Sequence, residues 1–283
     1  MNRAILLLSC PDRRGLVAGL SRFIDEHGGN ILHADHHIDT SSGLFLTRLE
    51  WDLADFDLPR PLIGPAFSPL AGSFEAEWEL SFSNELPKVA IWVTKQDHCL
   101  VDLLLRHRAG ELPAEIAVVI SNHPDLEPMA ARFGAEYHCF PISRENKKDQ
   151  ERSQVELMRD RGIDVIVLAK YMQILSPDVI DQYPHQIINI HHSFLPAFPG
   201  ARPYHRAYDR GVKIIGATAH YVTMDLDEGP IIEQDIVRVS HRDSVEDLVR
   251  KGKDLERLVL ARAVRDHLEH RVLVFGNKTV VFG

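Results

Sequence analysis

An amide, two imidazoles and a carboxylate are spaced along the second half of the chain in a way that suits acyl chemistry. Residues 188–199 read I-N-I-H-H-S-F-L-P-A-F-P, so an apolar run leads into Asn189 and His191. Residues 226–230, L-D-E-G-P, add a carboxylate at Asp227 on a segment that contains glycine and proline. This combination of side chains is the inventory of a hydrolytic or acyl-transfer site.

Each of the three residues has a chemical use at such a site. Attack on an acyl carbon develops negative charge on its oxygen, and the amide of Asn189 can donate a hydrogen bond to it; losing such a donor typically costs about 10² to 10³ in rate. His191 lies two residues on, on the same side of an extended segment, where it can donate to that oxygen or carry a proton. Asp227 can orient His191 and accept a hydrogen bond from an attacking water. Taken singly, Asn189 could be a turn residue, His191 a core histidine and Asp227 a loop residue. Their joint spacing favours a catalytic site.

The elements around these residues predict a doubly wound α/β domain with a mainly parallel sheet. Nearly continuous apolar strands indicate burial on both faces, which parallel sheets require. Such sheets bind ligands beyond the carboxyl ends of their strands, and residues 189–193 lie at one such end. The predicted strands are residues 88–94, 116–121, 164–169, 214–222 and 231–239, and the predicted helices are 99–107, 126–133, 146–161 and 244–270. A hairpin over residues 272–281, with Gly276-Asn277 at its turn, closes the chain.

The first part of the chain has a different order of elements, βαββαβ, which is the ferredoxin-like arrangement. Strands are predicted at residues 4–9, 30–40, 44–52 and 75–82, and helices at 16–24 and 62–70. Pro65 and Pro69 fall inside the second helix and are expected to strain or shorten it.

Length and composition limit the classes of protein that fit. With 283 residues and 45% hydrophobic content, we expect two domains, residues 1–83 and 89–283, joined by a linker at 84–88. A formal net charge of −9 argues against a nucleic-acid partner, and no apolar run is long enough for a membrane span. The three cysteines are widely spaced and suggest neither a disulfide framework nor a zinc site. A cytoplasmic protein acting on a small molecule is therefore expected.

A metal centre is not predicted, despite sixteen histidines. The cluster of His33, His36 and His37 lies on a predicted strand of the first domain, where His36 faces the other way from its two neighbours. No H-E-x-x-H motif occurs, and we expect these histidines to be solvated or to lie at a ligand's edge. The expected chemistry needs neither a metal nor a cofactor.

The first domain resembles an ACT domain, through D-R-R-G-L-V-A-x-L at residues 12–20 and G-G-N-I at 28–31. Such domains pair side by side and bind amino acids at the interface. The resemblance implies a ligand or interface role for Asp12, Gly15, Gly29 and Asn30. It also implies a homo-oligomer, a dimer or a tetramer, and it leaves open whether the domain senses an amino-acid effector or serves assembly alone.

Residues 88–283 resemble the formyltransferase family that uses 10-formyltetrahydrofolate. The resemblance rests on the motifs N-I-H at 189–191, S-F-L-P at 193–196, Y-M-Q-I-L-S-P at 171–177 and D-x-G-P at 227–230. It implies that Asn189, His191 and Asp227 are catalytic and that 10-formyltetrahydrofolate is the substrate. It also implies a set of residues that hold the folate: Met172, Ile174, Leu175, His220 and Thr223.

Two departures from the family pattern indicate water as the formyl acceptor. Members that formylate glycinamide ribonucleotide have a glycine-rich loop after the first strand of this domain, where backbone amides approach a phosphate, whereas this chain reads T-K-Q-D-H at 94–98. Those members also have proline where this chain has His192. Lys95, Asp97 and His98 are thus predicted to occupy the vacated acceptor pocket, although a capped helix start at Asp97 is the plainer interpretation.

The leading interpretation is therefore the hydrolytic type of this family, which releases formate and tetrahydrofolate and so supplies formate for purine synthesis and balances one-carbon pools. Two alternatives remain: a formyltransferase to some other amine, and a non-catalytic regulator that binds folate or an amino acid.

Overall fold

The structure is a computed structural model that describes residues 2–196 and 203–283, and it divides into two compact units. The first contains the chain up to Leu86 together with Glu269–Gly283, and the second is Pro87–Leu268. The sequence predicted that residues 269–283 belong to the second domain, 89–283, whereas they lie in the first unit. They do so because they pack on the sheet of that unit.

The first unit is a four-stranded antiparallel sheet with helices on one face. Its elements are β1 (Arg3–Pro11), α1 (Leu16–Glu26), β2 (Asn30–Asp39), β3 (Leu44–Asp52), α2 (Arg60–Phe74) and β4 (Glu77–Phe82). The strand order β2-β3-β1-β4 is that of a ferredoxin-like fold, as predicted. Alternate residues of β1, Leu6 and Leu8, pack with Leu20 of α1 and Phe67 of α2.

The opposite face of this sheet is covered by the C-terminal hairpin. The hairpin consists of β12 (Val272–Phe275) and β13 (Lys278–Val281), and Leu273 and Phe282 pack on Leu7 and Leu46 of the sheet. The guanidinium of Arg48 adds polar anchors, donating to the carbonyl oxygens of His270 at 2.9 Å and Glu269 at 3.3 Å. The sequence pattern predicted the hairpin but not the apolar face that it covers.

Helix α2 is not shortened by its internal prolines. It runs unbroken through Pro65 and Pro69. Both prolines are exposed, four residues apart and therefore on one side of the helix. The carbonyls that lose a backbone donor thus face solvent, which can satisfy them.

The second unit is a seven-stranded sheet covered on both faces. Its elements are β5 (Lys88–Val93), α3 (His98–Arg108), β6 (Glu115–Ser121), a 3₁₀ turn (Pro124–Leu126), α4 (Glu127–Arg132), β7 (Tyr137–Cys139), α5 (Lys147–Arg161), β8 (Val165–Leu168), α6 (Pro177–Ile180), β9 (Ile187–His191), α7 (Pro203–Arg210), β10 (Ile214–Tyr221), β11 (Ile231–Arg238) and α8 (Val245–Leu268). The strand order is β11-β10-β9-β8-β5-β6-β7. Neighbours from β9 to β7 are parallel, and β10 and β11 pair antiparallel.

Alternation along the central strands explains why both faces are covered. Ala90 and Trp92 of β5 belong to a core with Met158 of α5. Val89 and Ile91 point to the other face, towards side chains of α3 and α8. This arrangement is the doubly wound, mainly parallel sheet that the sequence predicted.

Cys10, Cys99 and Cys139 are free thiols. Among the described residues, no helix is long and apolar enough to cross a membrane.

Candidate active site

A cleft of about 320 Å³ opens at the carboxyl ends of β8 and β9. Three segments of the second unit line it, residues 170–175, 189–192 and 222–227, together with Leu168, Ile180 and His220. The first segment follows β8, the second ends β9, and the third follows β10. This is the position at which open α/β sheets bind ligands.

Strand β9 presents two polar side chains to the cleft. Asn189 and His191 are two residues apart in the strand and share one face, as predicted. The antiparallel neighbour β10 places His220 directly opposite Asn189. The amide Nδ2 of Asn189 lies 3.2 Å from Nε2 of His220.

The loop after β10 brings Asp227 to these residues. Asp227 has a left-handed backbone conformation (φ 59°), which aspartate tolerates better than most residues. Gly229 packs so closely on the end of β10 that a Cβ there would lie 1.8 Å from the carbonyl oxygen of Tyr221. The D-x-G-P motif therefore forms a tight turn. A side chain at Gly229 would clash with the end of β10, and Asp227 faces the cleft.

Asp227 lies against two imidazoles through one oxygen. Its Oδ1 is 3.2 Å from Nδ1 of His191 and 3.7 Å from Nε2 of His220. The hydrogen bond from His191, and then the contact with His220, lower the pKa of Asp227 well below its usual range, against the opposing effect of burial. Asp227 is consequently a carboxylate at neutral pH, although only a quarter of its side chain is exposed to water.

The partners of the two histidines define which nitrogens carry protons. A carboxylate only accepts hydrogen bonds, so Nδ1 of His191 is protonated and, in the neutral ring, Nε2 is the basic nitrogen. That Nε2 is buried and makes no hydrogen bond within residues 2–196 and 203–283. His220 Nδ1 donates to the carbonyl of Tyr221 at 2.9 Å, and its Nε2 lies 3.2 Å from Asn189 Nδ2 and 3.7 Å from Asp227 Oδ1. One amide hydrogen of Asn189 is left for a ligand.

Apolar side chains surround this polar centre. Met172 and Ile174 on one side, and Met224 and Leu226 on the other, are each more than half exposed around the cleft. Exposed apolar groups that rim a cleft are typical of a ligand-binding groove. The predicted residues Leu175, His220 and Thr223 also line the cleft, and Met224 and Leu226 lie between Thr223 and Asp227 in the same loop. Lys170 was not predicted from the sequence.

Two residues predicted to bind substrate lie elsewhere. Lys95 is exposed, the side chain of His98 is 8% exposed and lies beside Glu256 of α8, and neither residue lines the cleft. His98 Nε2 is 2.7 Å from Glu256 Oε2, a contact that links residues far apart in the sequence and could not be predicted from local pattern. Asp97 occupies the N-cap position of α3 but makes no side-chain capping hydrogen bond.

The residues singled out in the first unit form two separate pairs. Asp12 and Gly15 are before α1, Gly29 is in the turn after it, and Asn30 begins β2. Helix α1 has 11 residues and so spans about 16 Å, which keeps the two pairs apart within one chain. Their roles as ligand or interface residues stay predictions.

One group among the described residues has the composition of a metal site: His98, Cys99 and Glu256. One observation argues against a metal ion there: the ammonium of Lys170 lies 3.3 Å from the carboxylate of Glu256 and would repel a cation. The expectation of a metal-free, cofactor-free site stays a prediction.

Comparison with known families agrees with this architecture. A formyl transferase model matches residues 87–264, and an ACT domain model matches residues 4–55. The chain is thus an ACT domain followed by a formyl transferase domain.

More specific similarity extends over nearly the whole chain. The formyltetrahydrofolate deformylase of Synechocystis sp. is 62% identical over 279 residues, which cover 99% of this chain and 98% of the relative. That of Bacillus subtilis is 51% identical over 278 residues, 98% of this chain and 93% of the relative. The chain belongs to the formyltetrahydrofolate deformylase family.

Solved structures separate the two types of enzyme with this fold. A formyltetrahydrofolate deformylase from Pseudomonas syringae matches with a TM-score of 0.98 at 48% identity, over 100% of this chain and 95% of the other. A glycinamide ribonucleotide transformylase from Symbiobacterium toebii matches with a TM-score of 0.64 at 33% identity, over 70% of this chain and 95% of the other.

Proposed function

We propose that this chain hydrolyses 10-formyltetrahydrofolate to formate and tetrahydrofolate. The observation that carries the proposal is the convergence of Asn189, His191 and Asp227 in one apolar-rimmed cleft. The relatives named as deformylases support the same reaction, since they match both units of the chain, whereas the transformylase structure covers only 70% of it. Met172, Ile174, Leu175 and Thr223 offer the apolar and polar surface that a pterin ring would require.

The proposed mechanism follows from the proton positions. Nε2 of His191 takes a proton from water while Nδ1 donates to Asp227, which stabilises the imidazolium that forms. The water oxygen bonds to the formyl carbon, and the developing oxyanion accepts a hydrogen bond from Asn189. The carbon–N10 bond then breaks and the proton passes from His191 to N10. A formyl group is already electrophilic, so the proposed reaction uses no metal or cofactor.

The test is formate release without any amine. Purified protein and 10-formyltetrahydrofolate are expected to yield formate and tetrahydrofolate in equal amounts, and His191→Ala is expected to stop the release while retaining folate binding. No formate from the unaltered chain would exclude the hydrolase and leave transfer to an amine, which the same assay detects when candidate amines are added.

The first unit is proposed to assemble the chain into a homo-oligomer and to bind an amino-acid effector, as ACT domains commonly do. Sedimentation tests the assembly. Formate release measured with and without glycine or methionine tests the effector, and rates unchanged by either would exclude both amino acids as effectors.

A further inference from the structure

A partly buried polar cluster closes the cleft on the side of β5. Lys170 and His192 form part of the cleft lining, and His98, Tyr204 and Glu256 lie behind them, outside the lining. The five side chains come from the ends of β8 and β9 and from α3, α7 and α8. We define these five residues as the polar wall.

Glu256 holds the polar wall together. It is 2% exposed and accepts from Tyr204 Oη at 2.8 Å, from the ammonium of Lys170 at 3.3 Å and from His98 at 2.7 Å. Burial by itself raises the pKa of Glu256, but His98, Lys170 and Tyr204 outweigh it and hold that pKa at about 2. The carboxylate is therefore charged, and both its oxygens are used within the protein.

Lys170 is fixed between this carboxylate and the cleft. Its side chain is 5% exposed, and its Nζ is 3.3 Å from Nδ1 of His192. An ammonium only donates, so His192 Nδ1 accepts and its ring is oriented by Lys170. The ring of His192 then stacks on that of His191 with centroids 4.8 Å apart and planes 20° apart. The wall thus reaches the proposed catalytic base.

Two unusual backbone features accompany the polar wall, at Lys170 and at Gly252. Lys170 has φ 65°, an uncommon conformation for a residue with a side chain. Tyr204 lies so close to α8 that a Cβ on Gly252 would be 2.1 Å from its hydroxyl oxygen. Strain and close approach of this kind persist only where the surrounding contacts impose them.

The position of the wall bears on the choice of acceptor. The strands β9, β8 and β5 are adjacent and parallel, so their carboxyl ends share one edge of the sheet. Asn189 and His191 occupy the end of β9, while Lys170 follows β8 and His98 follows β5 along the chain. An amine acceptor larger than water must find space beside His191, and on this side Lys170 and His192 line the cleft.

We propose that Lys170 and His192, locked in place by Glu256, are specificity-determining residues that exclude amine acceptors and leave water as the nucleophile. The inference rests on the proposed hydrolysis. With water, a carbon–oxygen bond forms, the carbon–N10 bond breaks and a water proton ends on N10. With an amine, a carbon–nitrogen bond forms instead and the amine proton ends on N10. The two reactions share the same donor and differ only in what fits beside His191.

The test compares Lys170→Ala with Lys170→Met in the presence of glycinamide. Both variants lose the ammonium and place a side chain at the same positive φ, but only alanine opens space, because methionine retains a long side chain. Formate and N-formylglycinamide are quantified together by mass spectrometry in the full-length protein. We expect Lys170→Ala to raise the ratio of N-formylglycinamide to formate at least about tenfold over the unaltered chain, and Lys170→Met to leave it unchanged.

Two variants at His192 test the same inference without disturbing the buried ion pair of Lys170 and Glu256. His192→Ala opens the same wall without removing Lys170 or Glu256, and His192→Phe retains a ring. Circular dichroism confirms that each variant is folded. Formate without N-formylglycinamide from both alanine variants would overturn the inference and leave the hydrolase intact. Equal formyl transfer by the Ala and Met variants would overturn it as well, by assigning the effect to charge. Absence of formate from the unaltered chain would remove the proposed function itself.

Discussion

Two carboxylates of the second unit have similar partners but differ in exposure. Asp227 contacts His191 and His220 and is 25% exposed, whereas Glu256 contacts His98, Lys170 and Tyr204 and is 2% exposed. Both contacts of Asp227 with imidazoles use one oxygen and face the cleft. Residue type alone thus does not separate a reactive carboxylate from a structural one; the difference lies in which polar atoms remain available to a ligand.

The largest effect that this comparison predicts is on turnover at Asp227. Asp227→Asn keeps the size of the side chain but no longer fixes His191 with Nδ1 protonated, nor stabilises its imidazolium. We expect kcat to fall by about 10³ to 10⁴, as in other sites where a carboxylate orients a catalytic histidine. Tetrahydrofolate binding, measured by titration calorimetry, should change less than about threefold, which is under 1 kcal/mol.

Glu228→Gln is the matched control, because this residue is on the same loop and does not line the cleft. A loss of binding in Asp227→Asn as large as its loss of turnover would contradict the role given to the carboxylate.

The next effect concerns the loop that carries Asp227. Gly229→Ala places a Cβ against the carbonyl of Tyr221, so the loop must move and displace the carboxylate. A misplacement of about 1 Å can cost 10²-fold, and we expect kcat to fall by about that factor. Gly72→Ala is the control, since no heavy atom lies within 4 Å of the Cβ that alanine would add there. Full activity in Gly229→Ala would show that the loop tolerates displacement.

The same contrast explains what could be predicted from the sequence. Alternating strands and helices predicted both sheets, and the spacing of Asn189 and His191 placed them on one face of β9. The sequence predicted His98, at the N-terminal turn of α3, to lie in the substrate pocket. Local sequence cannot reveal that His98 instead contacts Glu256, a residue 158 positions later. The C-terminal hairpin was assigned to the wrong unit for a similar reason, since only the folded sheet shows the apolar face that it covers.

Glu256 should matter for stability more than for chemistry. Glu256→Gln retains the shape of the side chain but leaves a buried lysine without its counter-ion. Breaking a buried pair in this way costs about 3 to 5 kcal/mol, and we expect the unfolding free energy of the second unit to fall by about 3 kcal/mol in urea titrations. Asp254→Asn, exposed on the same helix, should change it by less than about 0.5 kcal/mol. Equal effects of the two substitutions would contradict the structural role.

The stabilisation by Glu256 should also depend on pH with a defined sign. Its pKa is about 2 in the folded chain and 4.5 ordinarily, so the carboxylate stabilises the fold fully above pH 4.5. That contribution, about 3 kcal/mol, is lost as the pH falls from 4.5 towards 2. The difference in stability between the unaltered chain and Glu256→Gln should therefore be smaller at pH 3.5 than at pH 5 in urea titrations. A difference that grew on acidification would show that Glu256 is protonated in the fold.

The smallest effect is expected at Thr94, the residue that follows β5. Its Oγ1 accepts from the backbone N–H of Met172 at 2.9 Å and so holds the segment proposed to contact the pterin. Thr94→Val removes that acceptor at similar volume, and an unmade hydrogen bond of this kind costs about 1 kcal/mol. We expect KM for 10-formyltetrahydrofolate to rise about fivefold with kcat within twofold, because Thr94 does not line the cleft with Asn189 and His191. Thr94→Ser should restore KM, since it returns the oxygen. A fall in kcat with unchanged KM would place Thr94 with the reacting groups instead of with the segment that binds the folate.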